Sequence, residues 1–166
     1  MPDDILSHKL EVVFCGIANR ESSSNSAFYD GPGNNFYRIL HTVGFTPIKL
    51  HPEQSCEINE YQIGLSALKE VEDADDVEMS AKNYDAADFV TKMLHRKPRF
   101  VAFTCKKAAA CCLEYLDVNA TLKHGLQEWR IGVSQVFLLA VPSGSEKRFW
   151  NEQYWRHLRA LIDKAK

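Results

Sequence analysis

Three stretches of the chain are almost unbroken apolar runs: "LEVVFCGI" (10–17), "RFVAFT" (99–104) and "SQVFLLAV" (134–141). Short runs of this kind suit strands buried on both faces, as in a parallel sheet. "YQIGLSAL" (61–68) is a weaker strand of the same type. Between these runs the pattern changes to the helical period. "NNFYRILHTVG" (34–44) sets Phe36, Ile39, Leu40 and Val43 on one face and offers Gly44 as a C-cap. "YDAADFVTKMLHRK" (84–97) groups Ala87, Val90, Met93 and Leu94; Asp85 falls in its first turn, basic residues in its last, and Pro98 stops it. "CKKAAACCLEYL" (105–116) predicts a third helix. "EKRFWNEQYWRHLRALIDKAK" (146–166) predicts a fourth, with Phe149, Trp150, Tyr154, Leu158 and Leu161 toward the core. Strands alternating with helices predict an α/β fold: a three-layer α/β/α sandwich around a central, mainly parallel four-stranded sheet. The 166 residues are expected to form a single domain over 1–166.

Sheets of this type bind ligands beyond the carboxyl ends of their strands. Three loops meet that description: 16–33, 104–107 and 142–146. The first is long, carries Asn19, Arg20, Ser22, Ser23, Asn25, Phe28, Tyr29 and Asp30, and closes on "DGPGNN". Gly31, Pro32 and Gly33 force a turn, and Asn34 or Asn35 can cap the helix that follows. Asp30 suits an Asx-turn before Gly31 as well as it suits a chemical role. Phe28 and Tyr29, two aromatics in a polar loop, are either a plug into the core or a platform for a flat ligand. Stacking a base on such a ring is worth ~1–3 kcal/mol. In "PSGSE" (142–146), Ser143, Gly144 and Ser145 expose N–H groups at a helix start, with Lys147 and Arg148 beside them. That arrangement serves as a phosphate site or as a plain serine N-cap. "TCKK" (104–107) puts a basic pair at a third strand end. The acidic stretch 70–83 reads as a solvated loop.

Composition narrows the choices. Apolar residues make up 45% and charged residues 25%, as in an ordinary globular protein, and the net charge is −2 with histidines neutral. Nucleic-acid binding therefore needs a local basic patch. No apolar run approaches the ~20 residues of a membrane helix, and the N-terminus lacks the pattern of a signal peptide. Five cysteines in no metal-binding spacing are expected to be reduced, buried small hydrophobes in a cytoplasmic protein, nucleoid-associated if bacterial. The six histidines are scattered, and no metal site, phosphate-binding glycine fingerprint or nucleophilic triad is present in the sequence.

"VVFCGI", a serine- and glycine-bearing loop, and then "GPGNNFYRILHTVGFTP" resemble the first motif of the uracil-DNA glycosylase superfamily. The nearest branch is that of the mismatch-specific uracil/thymine-DNA glycosylases. "QIGLSAL" is similar to that branch's I-G-L-T-D-L stretch, "RFVAFTCKKAAA" to its strand and small-residue helix, and "VPSGS" to its N-P-S-G. The order and spacing agree over roughly residues 10–160. There are departures. The branch's water-positioning asparagine in G-I-N-P-G is Ala18 here, with an amide one position later at Asn19; the asparagine opening N-P-S-G is Val141, and the acidic residue of G-L-T-D-L is Ala67. The chain is nearer a subgroup with G-T-A in place of G-I-N.

The resemblance implies a monomeric, monofunctional DNA glycosylase that cleaves the N-glycosidic bond of uracil, or a related deaminated base, in DNA, without metal or cofactor. Its expected partner is DNA holding such a base, and its role base excision repair. Asn19 and Asp30 are the expected catalytic residues. Ile17, Phe28, Tyr29 and Asn35 are expected to bind the flipped base. Ser23, Ser143, Gly144, Ser145, Lys147 and Arg148 are expected to hold DNA, with Ser145 at the tip of a wedge that fills the gap in the duplex. Two other readings stand beside this one: a relative that binds damaged DNA without cutting it, and a small α/β protein that binds a nucleoside or nucleotide.

Overall fold

The computed structural model describes residues 3–18, 28–29, 34–71, 84–139 and 152–165. Five strands form one sheet in the order β2-β1-β3-β5-β4. They are β1 (Val12–Ala18), β2 (Ile63–Lys69), β3 (Phe100–Phe103), β4 (Gly125–Ile131) and β5 (Ser134–Leu138). The four strands expected from the apolar runs make the parallel part of the sheet. The fifth, β4, corrects the expected count and pairs antiparallel with β5. Its hairpin turn is Gly132–Val133, between the paired Ile131 and Ser134, and Gly132 takes the positive φ (60°) that such a tight turn asks of its first residue.

Side chains alternate across the buried strands, so each strand serves two cores. Val13, Cys15, Val101, Phe103, Val136 and Leu138 face one core, which is closed by α2 (Ala86–Arg96) and α3 (Lys106–Tyr115). Val12, Phe14, Phe100, Ala102 and Phe137 face the other, closed by α1 (Phe36–Val43) and α4 (Glu152–Lys164). This is the expected α/β/α sandwich. A 3-10 helix, Pro52–Tyr61, leads into β2 and adds Ile58 to the second core.

Local chemistry fixes the helix ends. The Asn34 side chain accepts the Phe36 N–H at 2.9 Å, so of the two candidate asparagines Asn34 supplies the hydrogen bond at the start of α1. Gly44, at φ 95°, ends that helix in the left-handed conformation. Asp85 caps α2 by accepting the Asp88 N–H at 2.9 Å, and Lys97 closes it just before Pro98. In α4 the buried stripe is Trp155, Leu158 and Ile162, with Tyr154 and Leu161 at its margin. The expected stripe was thus rotated toward Leu161, and its Phe149 and Trp150 lie outside the described residues. No helix among the described residues is long and apolar enough to cross a membrane.

The outer edge of β2 is covered by the N-terminal segment, where Ile5 and Leu65 form an antiparallel bridge. Asp4 secures it: one carboxylate oxygen accepts the Ser66 hydroxyl at 2.8 Å and the other pairs with Lys92. Solvent loss opposes the charged form of Lys92, but hydrogen bonds to Asp4 and Asp88 outweigh it and hold its pKa above the ordinary lysine value. Asp4→Ala strands the buried Ser66 hydroxyl and is expected to lower unfolding stability in urea by about 1–3 kcal/mol. A raised lysine pKa contributes stability that is complete below the unfolded value and fades as pH climbs through the folded one. The gap between wild type and variant should therefore be constant around neutrality and narrow in strong alkali.

Candidate functional site at the carboxyl end of the sheet

The strand order reverses at β1: the chain leaves it to form β2 on one side and returns to form β3 on the other. A crevice at such a switch point is where an open α/β sheet holds a ligand. Register shows how it opens. Against β2, β1 is paired as far as Ala18↔Lys69, but against β3 only as far as Cys15↔Phe103. Gly16, Ile17 and Ala18 therefore run three residues past the end of β3.

Tyr29 stands at this opening. Its ring stacks on Phe36 with centroids 3.9 Å apart and planes 20° apart. Its hydroxyl lies 3.1 Å from the Thr104 hydroxyl. Thr104 also accounts for both groups that meet the Cys15 carbonyl: its N–H donates at 2.9 Å and its hydroxyl at 3.3 Å. Because the single Thr104 hydroxyl proton goes to Cys15, Tyr29 is the donor in the hydroxyl pair. Burial of that phenol pushes its pKa far above the ordinary tyrosine range, only partly offset by Thr104, so it stays a donor at any physiological pH. Tyr29 also holds φ at 55°, a conformation costly for a bulky residue. Its neighbour explains how it is held: Phe28 is 7% exposed in the second core, and its carbonyl accepts the Tyr37 hydroxyl at 2.8 Å. Of the two roles open to Phe28, it fills that of a core plug, whereas Tyr29 stays half-buried.

Gly16 makes room for this pair. A Cβ at that position would lie 3.0 Å from the Thr104 hydroxyl and 3.3 Å from that of Tyr29. Gly16→Ala is expected to cost about 1–3 kcal/mol by overpacking and to displace Tyr29. Thermal denaturation and the tyrosine fluorescence of the folded variant would check both effects.

The other expected site residues divide clearly. Ile17 is half-buried against the first core, on the strand end that overhangs β3. Asn35 is half-buried at the start of α1, and its side-chain oxygen accepts the Arg38 Nε–H at 3.3 Å. Asn19, Ser23, Asp30, Ser143, Gly144, Ser145, Lys147 and Arg148 lie outside the described residues. Ala18, in the place of the branch's asparagine, is 7% exposed, and its carbonyl accepts the Glu70 N–H at 3.1 Å.

Thr104 was missed in the sequence. Its signal was modest: it is the first polar residue after a fully buried run, at the carboxyl end of the strand next to β1. The basic pair behind it separates. The Lys107 ammonium lies over the Tyr84 ring, 5.1 Å from its centroid, and Lys106 is exposed. A cleft of about 350 Å³ lies away from Tyr29, between the first turn of α2 and α3, and is lined by Tyr84, Asp85, Cys111, Glu114 and Tyr115 among others. Asp85 and Glu114 make it a poor place for a polyanion.

Cys15, Cys111 and Cys112 are buried as expected, and burial raises the pKa of each; Cys111 is pushed up to about 11. Cys56 departs from the expectation and is exposed; Cys105 is intermediate. Among the described residues no group of three or more His, Cys, Asp or Glu side chains is placed to hold a metal ion. No protein-family model matches the chain.

Proposed function

We propose that the chain is a monofunctional DNA glycosylase. It hydrolyses the N-glycosidic bond of uracil, or a related deaminated base, in DNA, and works as a monomer in base excision repair without metal or cofactor. The observation that carries this reading is the Tyr29 ring, held at the open end of β1 at the switch point. That position falls within the stretch that resembles the superfamily's first motif. A base inside a duplex must be swung out to be reached, and it then needs a flat surface and polar groups at its edge. Tyr29 supplies the surface, and Asn35 and the backbone of Ile17, whose side chain packs on the first core, are the groups proposed for the edge. Water adds to the sugar carbon as the bond to the base breaks, and the base leaves as an anion that takes up a proton. Hydrogen bonds to that anion and a placed water lower the barrier. Asn19 orients the water, and Asp30 accepts its proton or stabilises the cationic sugar. Ser23 and Ser143 to Ser145 hold the phosphates, with Lys147 and Arg148 beside them.

One observation favours a second reading, binding without cleavage: a buried Ala18 stands where the branch carries its catalytic amide. Incubation with a labelled oligonucleotide holding one uracil, single-stranded and opposite G or A, followed by hot alkali, separates the two. Strand cleavage at the uracil supports the glycosylase. A gel shift without cleavage on uracil, hypoxanthine or xanthine substrates supports binding alone. Stabilisation by free nucleosides with no DNA affinity would overturn both.

A further inference from the structure

We propose that His124, Tyr154 and Lys106 form a subsite for the DNA backbone at the carboxyl edge of the sheet, beside the site that receives the base. The proposal rests on the functional reading above and adds to it a surface centred on His124 and Tyr154, which lie outside the motifs carrying the resemblance. Register places the subsite. Cys15, Phe103, Leu138 and Gly125 are paired in one row across β1, β3, β5 and β4. Gly16, Thr104 and His124 follow that row on the carboxyl side. With neighbouring strands ~4.8 Å apart, His124 stands about 15 Å from Gly16 along the edge. That distance suits nucleotides flanking a base bound at Tyr29.

The side chains there are built to present a surface. The His124 and Tyr154 rings stack, with centroids 5.2 Å apart and planes 29° apart. Tyr154 is anchored against the second core, and His124 is half-buried. Gln127, 8% exposed, donates its amide to the carbonyls of Lys123 and Gly125, the two residues that flank His124. Gly125 takes φ 104°, so the chain turns into β4 immediately after the histidine. Burial, and next the charge of Lys106, lower the His124 pKa, which keeps the imidazole neutral at neutral pH with one N–H to donate. Lys106 and Lys123 are exposed. A neutral donor, a stacked ring and ammonium groups on one edge match a phosphodiester with its adjoining base.

The test is fluorescence anisotropy with a labelled oligonucleotide holding one uracil, single-stranded and in a duplex opposite G or A, titrated at several salt concentrations. Lys106→Ala is expected to weaken binding severalfold and to reduce the salt slope by about 0.7 on the single strand. His124→Ala and Tyr154→Leu are each expected to weaken it by about fivefold or more; circular dichroism and thermal midpoints confirm that each variant is folded. The exposed Lys106 keeps the test decisive if Tyr154→Leu fails to fold. Wild-type protein that binds, with Lys106→Ala and His124→Ala within twofold of it and an unchanged salt slope, overturns the subsite and leaves the functional reading standing. Wild-type protein with no DNA affinity overturns the functional reading and the subsite together.

Discussion

Tyr29→Ala is expected to cut single-turnover base release from uracil-containing DNA by about fivefold to 150-fold, the range that corresponds to losing one base–aromatic stack. Two companions show which part of the side chain matters. Tyr29→Phe keeps the ring on Phe36 and removes only the hydroxyl. The Thr104 hydroxyl still donates to the Cys15 carbonyl, so no buried donor is stranded. This variant should lose about 0.5–1.5 kcal/mol of stability and stay close to wild type in rate. Thr104→Val leaves the Tyr29 phenol without its acceptor, a larger loss, and should disturb both stability and rate. If Tyr29→Ala releases base as fast as wild type, the ring is not the platform. If Tyr29→Phe is as slow as Tyr29→Ala, the hydroxyl matters and stacking does not.

The same residue shows what the sequence could carry about the site. Loop 16–33 was marked by its composition, and two aromatics among serines and asparagines stood out. Their division of labour depends on contacts distant in sequence. Phe28 is pinned by Tyr37, and Tyr29 by Thr104, 75 residues away. No local pattern encodes the second of these. His124 was passed over for the same reason: the subsite proposed for it depends on its contact with Tyr154, 30 residues later, and on a strand that the hydrophobic pattern did not reveal.

That strand shows where pattern reading fails physically. Along β4, "GLQEWRI", the inward positions are Gly125, Gln127, Trp129 and Ile131. Half of them carry no apolar side chain. Gln127 is buried because its amide is bonded to two nearby carbonyls, which replaces the hydrogen bonds it would make with water. The outward Leu126 is 39% exposed, so alternation reads backwards at the start of the strand. The parallel strands had no such ambiguity, because a strand buried on both faces must be apolar throughout. The 3-10 helix was equally hidden. Of its ten residues only Ser55 and Ile58 are buried, and a single apolar anchor makes no period.

The second large effect follows from how the core supports the site. Phe36 is fully buried, its ring against Tyr29 on one side and edge-on to Phe14 at 5.3 Å and Trp155 at 5.9 Å on others. Phe36→Ala opens a cavity among these rings and is expected to cost about 3–5 kcal/mol. That is a large part of the 5–15 kcal/mol typical of a domain, so the variant should melt far below wild type. Phe36→Leu retains most of the volume and should fold at a smaller loss. It gives Tyr29 a narrower, mobile support in place of a flat ring at 3.9 Å. If Tyr29 acts as the platform and Phe36 only holds it, Phe36→Leu slows base release in the wild-type background but changes little once Tyr29 is already alanine. Such non-additivity is what a shared interaction produces. Equal effects of Phe36→Leu in both backgrounds would mean that Phe36 acts on the reaction by a route that does not pass through Tyr29.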